Sequence, residues 1–371
     1  MKLSALNYLV CPKCHGAFHL KEGSVVENGA LVSATGAEII EGTLDCASCA
    51  KHYAITRGVP RFVDEKSSSK TDIFTGSRFG QSWKSFPRMD ERYRQQFLDW
   101  IFPVDSNYFK DKVILEGGCG KGRHAKIVSE SNAKEIFAVD IGDAVDVAFA
   151  NVGRMPGVHI IQADICELPF KQSFDFVFSL GVLHHLHDPY KGFLALSKLV
   201  KPDGALCVWV YGRENNKWLV TFVNPIRVAF TSKLPEIVLN PLSAVLGFVL
   251  YLLVKLFVHP WSILVKRFRW LPKFYYQDYL SYIAKHDFLE LHSIVYDHLV
   301  TPVAHYIPRA HFSTWFKKIG VNDPIIRWHN KNSWTGFFSN KLSEMASMRA
   351  RVDQPDPAVA QPRYQLEHKN P

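Results

Sequence analysis

The chain has 371 residues, 44 Lys and Arg against 35 Asp and Glu, a formal net charge of +9, and 47% hydrophobic and 13% aromatic residues. That length exceeds one ordinary core and calls for a full domain plus smaller modules, while the apolar content excludes a mainly disordered chain. The positive balance permits an anionic partner, nucleic acid or an acidic membrane, without selecting one.

The opening MKLSALNYLVCPKC has neither the apolar run nor the small-residue cleavage site of a secretory signal. The seven cysteines are therefore expected as thiols in a reducing, cytoplasmic compartment. Cys11, Cys14, Cys46 and Cys49 form two CxxC pairs within residues 1–63. Two such knuckles can close a tetrahedral thiolate site around zinc with no open position, so the metal is structural; a hairpin must fill the long gap between the pairs. A redox CxxC competes, but neither pair has a thioredoxin-like βαβ context. Residues 64–72, DEKSSSKTD, read as a solvated linker. Helical spacing of aromatic and apolar residues over 73–111 predicts one or two helices leading into the next domain.

From 112 to 212, VILEG, EIFAVD, VHIIQAD, FDFVFSL and GALCVWVY alternate with helical segments. Short buried strands separated by helices imply parallel crossovers and a Rossmann-like, doubly wound α/β sheet, with Pro202, Asp203 and Gly204 turning into the fifth strand. Residues 213–309, rich in Leu, Val, Phe and Trp, interrupt the pattern as an inserted helical cap. The alternation resumes over 310–340 with a helix and two strands forming an antiparallel edge, which makes seven strands. Residues 341–371 read as a frayed helix and polar tail.

The first strand runs into Glu116 and then Gly118, Gly120 and Gly122. The spacing is G-x-G-x-G rather than the dinucleotide fingerprint, with Arg123 where the last glycine would fall, so pyrophosphate binding loses ground. Asp140 ends the second strand, where a carboxylate can hold both ribose hydroxyls, and Asp164 ends the third, where it can accept from an exocyclic adenine amine. Ile141 and Ile165 stand beside them to sandwich the ring. Strand-end acids also cap following helices. Three acids around one cleft suit a positively charged nucleoside, and S-adenosylmethionine is such a ligand.

In their order, VILEGGCGKGRHA, IFAVDIG, IIQADICELPF, FDFVFSLGVLHHLHDP and LVKPDGALCVWVYG resemble the motifs of class I S-adenosylmethionine-dependent methyltransferases. The resemblance implies that Glu116, Gly118 and Gly120 line the methionine end, Asp140 takes the ribose, Asp164 with Ile165 the adenine, and Leu180 borders the sulfonium. Gly117 departs from the family's apolar or branched residue. LVCPKCHGAF and TLDCASCAKHYAITRGVPRF are similar to the small zinc-binding activators of tRNA and translation-factor methyltransferases. That likeness implies a docking or stabilising module fused ahead of the catalytic domain; no obligate protein partner is evident from the sequence.

In the cap, residues 242–258 are long enough for the lower limit of a membrane span, but a single crossing would split one sheet across a bilayer. Lys255, Lys266, Arg267, Arg269 and Lys273 interleave with Trp261, Phe268 and Trp270, as in an interfacial segment, or as the solvated face of a buried cap helix. Methyl transfer from a sulfonium needs alignment and water exclusion first, a base second. His184 and His185, after the fourth strand, are the candidates for that base, with a structural role as the alternative; His187, His305, Tyr306 and His311 carry lower weight. The expected acceptor is a small or amphipathic molecule, lipid-linked, glycan or quinone-like, and nucleic acid is not expected. The first alternative is a ribosomal or transfer RNA methyltransferase, the second a non-catalytic protein that binds the cofactor.

Overall fold

The computed structural model describes residues 1–21, 25–27, 38–64, 66–171, 174–268 and 270–353. Arg269 and the tail after residue 353 lie outside them, as does most of the stretch expected as a hairpin between the two cysteine pairs.

The amino-terminal module carries five short strands, β1 (Phe18–Leu20), β2 (Val25–Glu27), β3 (Glu38–Cys46), β4 (His52–Thr56) and β5 (Val59–Pro60). They pair antiparallel in the order β1-β3-β4-β5, with β2 also on β3. Two helices follow, α1 (Lys70–Ser85) and α2 (Arg92–Ile101). The first begins inside the stretch expected as a linker: Ser69 caps it, its side chain accepting from the Asp72 amide, so the SSSKTD run is a helix start as much as a solvated connection.

The central sheet is built from β6 (Val113–Gly117), β7 (Glu135–Asp140), β8 (Val158–Gln162), β9 (Phe174–Leu180) and β10 (Val200–Tyr211). Between them lie α3 (Arg123–Glu130), α4 (Ala144–Ala148) and α5 (Pro189–Ser197). The cap supplies α6 (Asn224–Ala229), α7 (Glu236–Leu253), α8 (His259–Arg267), α9 (Gln277–Ile283) and α10 (Phe288–Val300). Then come α11 (Arg309–Lys318), β11 (Ile325–His329), β12 (Ser333–Ser339) and α12 (Leu342–Asp353).

Strand order is β11-β12-β10-β9-β6-β7-β8, parallel from β10 to β8, with β12 antiparallel to both β10 and β11. This is the seven-stranded α/β sheet that the strand pattern foretold. All five residues of β6 are buried, as a strand covered on both faces requires. One face packs Leu115, Val139 and Val177 against Phe193, Trp315 and Phe316; the other packs Ile114, Phe176 and Phe178 against Phe97, Phe109 and Val128. Pro202–Gly204 is not a turn before the fifth strand. It lies within β10 as an irregularity, where the register against β9 shifts between Val200 and Ala205.

The small module shares the first of these cores: Leu9, Ile39, Leu44, Ile55 and Phe62 join the cluster that holds Phe137, Ile161 and Phe170. It also covers the sheet's β8 edge, which would otherwise present unpaired backbone. Arg61 bridges Gln162 in parallel, and the Phe62 amide donates to the Gln162 carbonyl at 2.7 Å. In the connection that follows β8 the Val10 amide donates to the Pro169 carbonyl at 2.9 Å.

The cap buries two small apolar clusters, around Val254 and Leu291 and around Leu239 and Tyr296, yet leaves many of its large side chains outside. Along α7 the buried residues include Ser243 and Gly247, while Val245, Leu246, Phe248, Val249, Leu252 and Leu253 face outward. A Cβ on Gly247 would come within 3.1 Å of the His292 backbone, so the glycine is what lets α7 lie against α10. In α6 the arginine is buried and Ile226 and Val228 are exposed. Residues Glu236–Arg267 form the one stretch, among the described residues, long and apolar enough to cross a membrane. After it the chain returns through α11 to place β12 beside β10, so this stretch lies along one side of the molecule.

Candidate functional site

Above the carboxyl ends of β6, β7 and β9 lies a cavity of about 470 Å³, roofed by α1 and the cap. A doubly wound sheet leaves its crevice at this place, where the strand order reverses between β6 and β9. Gly118, Gly120, Asp140, Ile141, Leu180 and His185 line it. Glu116, Asp164, Ile165 and His184 do not.

The glycine loop is shaped by its backbone. Gly118 has φ +84°, and a Cβ there would collide with Val182, 2.2 Å away. Only glycine takes that conformation and that approach without strain. Asp140 is tied to the loop: one carboxylate oxygen accepts from the Gly120 amide at 2.9 Å, the other from the Gly142 amide at 2.9 Å. Each oxygen keeps a lone pair for a further donor, such as a ribose hydroxyl. Burial pushes this carboxyl above its ordinary range, partly offset by those amides.

Glu116 is fully buried beneath the loop. Its Oε1 meets His124 Nδ1 at 2.9 Å, and its Oε2 is buried with no partner among the described residues. Burial pushes its carboxyl up to about 8 and holds His124 well below the usual imidazole value, so near neutral pH the pair shares its hydrogen bond as two uncharged groups. The acid lies beneath the loop, off the cavity lining, with the charge of the Arg123 guanidinium opposing part of the burial effect. Arg123 itself stands 5.6, 5.1 and 5.5 Å from the ring centroids of Trp83, Tyr93 and Trp100, a cation held among aromatic faces beside the loop.

Asp164 serves as a cap: its side chain accepts from the Cys166 amide at 2.8 Å at the start of a short 3₁₀ turn. Ile165 is buried behind Gly117 and Gly192. His184 is fully buried, with neither ring nitrogen partnered among the described residues. His185 Nδ1 donates to the Val303 carbonyl at 2.7 Å, which leaves Nε2 as the ring's acceptor, and the residue lines the cavity. Burial holds His185 down to about 3, so the ring is neutral at every physiological pH and a weak base.

Several lining residues had no sequence signal. Asp72, Gly76 and Trp83 come from α1, well ahead of the glycine loop in the chain, and a Cβ on Gly76 would stand 2.4 Å from Ile141. Asp72 accepts from the His187 amide at 2.6 Å and so closes α1 over the loop after β9. From the cap come Arg227, Tyr276, Tyr279, Asp297 and His298, beside Tyr306, which the sequence had offered as a lower-weight candidate. The polar inner face of a cap helix was the only clue available, and in α6 it is a single residue.

The four cysteine sulfurs of the small module all lie within 4.8 Å of one another, with Cys11–Cys49 at 3.7 Å and Cys14–Cys46 at 3.4 Å. A zinc–thiolate tetrahedron with bonds of about 2.3 Å has edges of about 3.8 Å, so the spacing fits that ion. Each knuckle closes in the same way, with positive φ at the residue after the second cysteine: His15 at 58° and Ala50 at 52°.

Strand order, glycine loop and acid-tipped second strand together define a class I methyltransferase fold of the S-adenosylmethionine-dependent type. Residues 115–208 match a family model described as a methyltransferase domain. Among curated proteins the chain is similar to tRNA U34 carboxymethyltransferases. That of Cellvibrio japonicus is 30% identical over 41% of this chain and 50% of the relative; that of Shewanella baltica is 31% identical over 31% of this chain and 40% of the relative. The chain thus spans about half the length of the curated relatives it matches. Among solved structures, YcgJ of Bacillus subtilis is 28% identical over 31% of this chain and 51% of that protein, with a TM-score of 0.28. The curated relatives overturn two expectations, that the acceptor is a small or amphipathic metabolite and that nucleic acid is not involved, because they are named for action on tRNA. Charge and cap composition had not distinguished these acceptors, since a basic surface serves RNA and acidic lipid alike.

Proposed function

We propose that the protein is a cytosolic S-adenosylmethionine-dependent transferase that modifies RNA, with tRNA the first acceptor to test. The observation that carries the reading is the likeness to tRNA U34 carboxymethyltransferases across the cofactor-binding half, in a chain of net charge +9. Asp140 and the glycine loop would hold the nucleoside and Leu180 would border the sulfonium, while Glu116 supports the loop from beneath. S-adenosylmethionine supplies an electrophilic methyl on a ready leaving group. The chain's own part is alignment and exclusion of water, since His185 is too weakly basic to carry much of the rate. Incubation with methyl-labelled S-adenosylmethionine, total tRNA and a lipid extract tests the reading. Label is expected in nuclease-sensitive material, and label confined to lipid would overturn it.

The four-cysteine cluster is read as a structural zinc site, and the module around it as a built-in counterpart of the small activators its sequence resembles. Its support is the sulfur geometry and the way the module covers the β8 edge.

A peripheral location at an anionic membrane is the reading the cap's outer face supports. Ile237, Val245, Leu256 and Phe257 are 83%, 63%, 62% and 66% exposed, and Phe222, Phe230 and Trp270 are as bare. Soluble proteins rarely leave so broad a patch open to water. Exposed Lys233, Lys266 and Arg267 lie among these residues and match acidic headgroups in charge.

A further inference from the structure

Arg227 is the one charged residue of α6 and is turned inward, 2% exposed, while its neighbours Ile226 and Val228 face out. It lines the same cavity as Gly118 and Leu180, on the cap side. No carboxylate lies within ion-pair distance of it among the described residues. Its guanidinium donates to the Asn224 side chain and touches the Tyr306 hydroxyl, and its Nε is buried with no partner. A buried cation without a counter-ion is expensive, and is retained where a ligand brings the opposite charge.

The surroundings narrow the ligand. His184, His185 and His298 all lie close enough to feel the Arg227 charge, and burial already holds each of them neutral, so none competes as a second cation. Tyr211 stacks near-parallel with Tyr306, centroids 5.7 Å apart at 22°, and with His298 at 6.4 Å and 17°. Tyr276 and Tyr279 extend this aromatic wall around the cavity. Flat rings beside one fixed guanidinium are what an extruded nucleotide needs: faces on which a base stacks, and a planar fork that meets a phosphate through two N–H groups.

We propose that the cap side of the cavity is a nucleotide subsite in which Arg227 binds the phosphate of the acceptor nucleotide and the tyrosine wall stacks its base. This rests on the RNA reading above and deepens it: the acceptor is held as a single extruded nucleotide, recognised through its backbone charge as well as its ring. Asn224 and Tyr306 are positioning residues that fix the guanidinium.

The test is equilibrium binding of the four nucleoside 5′-monophosphates and of the four nucleosides to the full chain saturated with S-adenosylhomocysteine. At least one monophosphate is expected to bind about tenfold or more tightly than its nucleoside. R227Q should remove that preference, R227K should restore part of it, and the affinity for S-adenosylhomocysteine should stay unchanged in both, which shows that they fold. Equal binding of monophosphate and nucleoside by the unaltered protein, or a preference that survives in R227Q, overturns the subsite. The RNA reading fails separately: labelled methyl would be absent from RNA while the Arg227-dependent phosphate preference persisted.

Discussion

Glu116 is an acid whose oxygen is sealed against its helix-borne partner His124 with no water-facing path, and burial pushes it up to about 8 from an ordinary 4.5. In the unfolded chain the group ionises near the ordinary value, so between those two pH values the folded state holds the extra proton. Stability contributed by this site is therefore greatest at low pH and falls as pH rises through that window. Urea unfolding of the ligand-free protein from pH 5 to 8 should show this decline. E116Q should flatten it, because an amide has no proton to lose; an unchanged slope in E116Q would remove Glu116 as its source. The same residue shows the limit of sequence reading. VILEGG marks an acid at a strand tip, but nothing in those letters says that a histidine two turns of chain later will satisfy one oxygen and leave the other open.

At the scale of elements, the strands and the inserted cap were legible and the folding of α1 over the site was not. Parallel strands buried on both faces are continuous apolar runs, and β6, β7 and β9 declare themselves in that way. The two carboxyl-end residues Asp140 and Asp164 were equally visible, yet the structure gives them different work, one tied into the glycine loop and lining the cavity, the other capping a turn. Strand-end position alone does not separate these roles, because both satisfy backbone amides. Asp72 and Trp83 reach the cavity because α1 folds back over the loops, a tertiary event that leaves no mark on local periodicity. The small module acts through its docking. Arg61 donates to the Gln162 side chain at 3.0 Å, and Gln162 in turn donates to the carbonyl of Ile141, in the cofactor cavity, at 3.1 Å. Loss of the metal should loosen this chain of contacts. We expect about one zinc per chain by elemental analysis, and C46S or chelation should both lower the melting temperature and weaken S-adenosylmethionine binding by about threefold or more. R61A should weaken binding with the zinc content intact. Full metal content in C46S together with unchanged binding in R61A would contradict the account.

For the molecule as a whole, the cap joins two faces of opposite character. Inside it presents Arg227, Asp297 and a wall of tyrosines; outside it presents leucine, valine and phenylalanine. A sequence of 47% hydrophobic residues does not tell which side of a helix its apolar residues will face. Only the placement of Ser243 and Gly247 against α10 shows that α7 has turned its large side chains out. In water that arrangement forgoes the burial that ordinarily holds a helix to its protein, so an apolar surrounding must compensate. Flotation with vesicles is expected to recover the protein with phosphatidylcholine–phosphatidylglycerol mixtures and much less with phosphatidylcholine alone. L256D/F257D should abolish recovery. A stable dimer in light scattering that ignores both vesicle types would assign the apolar face to a second copy of the chain instead.

The central claim is that one cavity, floored by the glycine loop and Asp140 and roofed by the cap, brings the methyl donor to RNA. The most direct measurement is the initial rate of labelled-methyl transfer from S-adenosylmethionine to tRNA by the unaltered protein and by D140A, with folding of both checked by circular dichroism. Two charge-assisted hydrogen bonds are at stake, about 1.5 kcal/mol or more each, so the variant should be slower by about a hundredfold at limiting cofactor. Equal rates in the two proteins, or no nuclease-sensitive label from either, would contradict it.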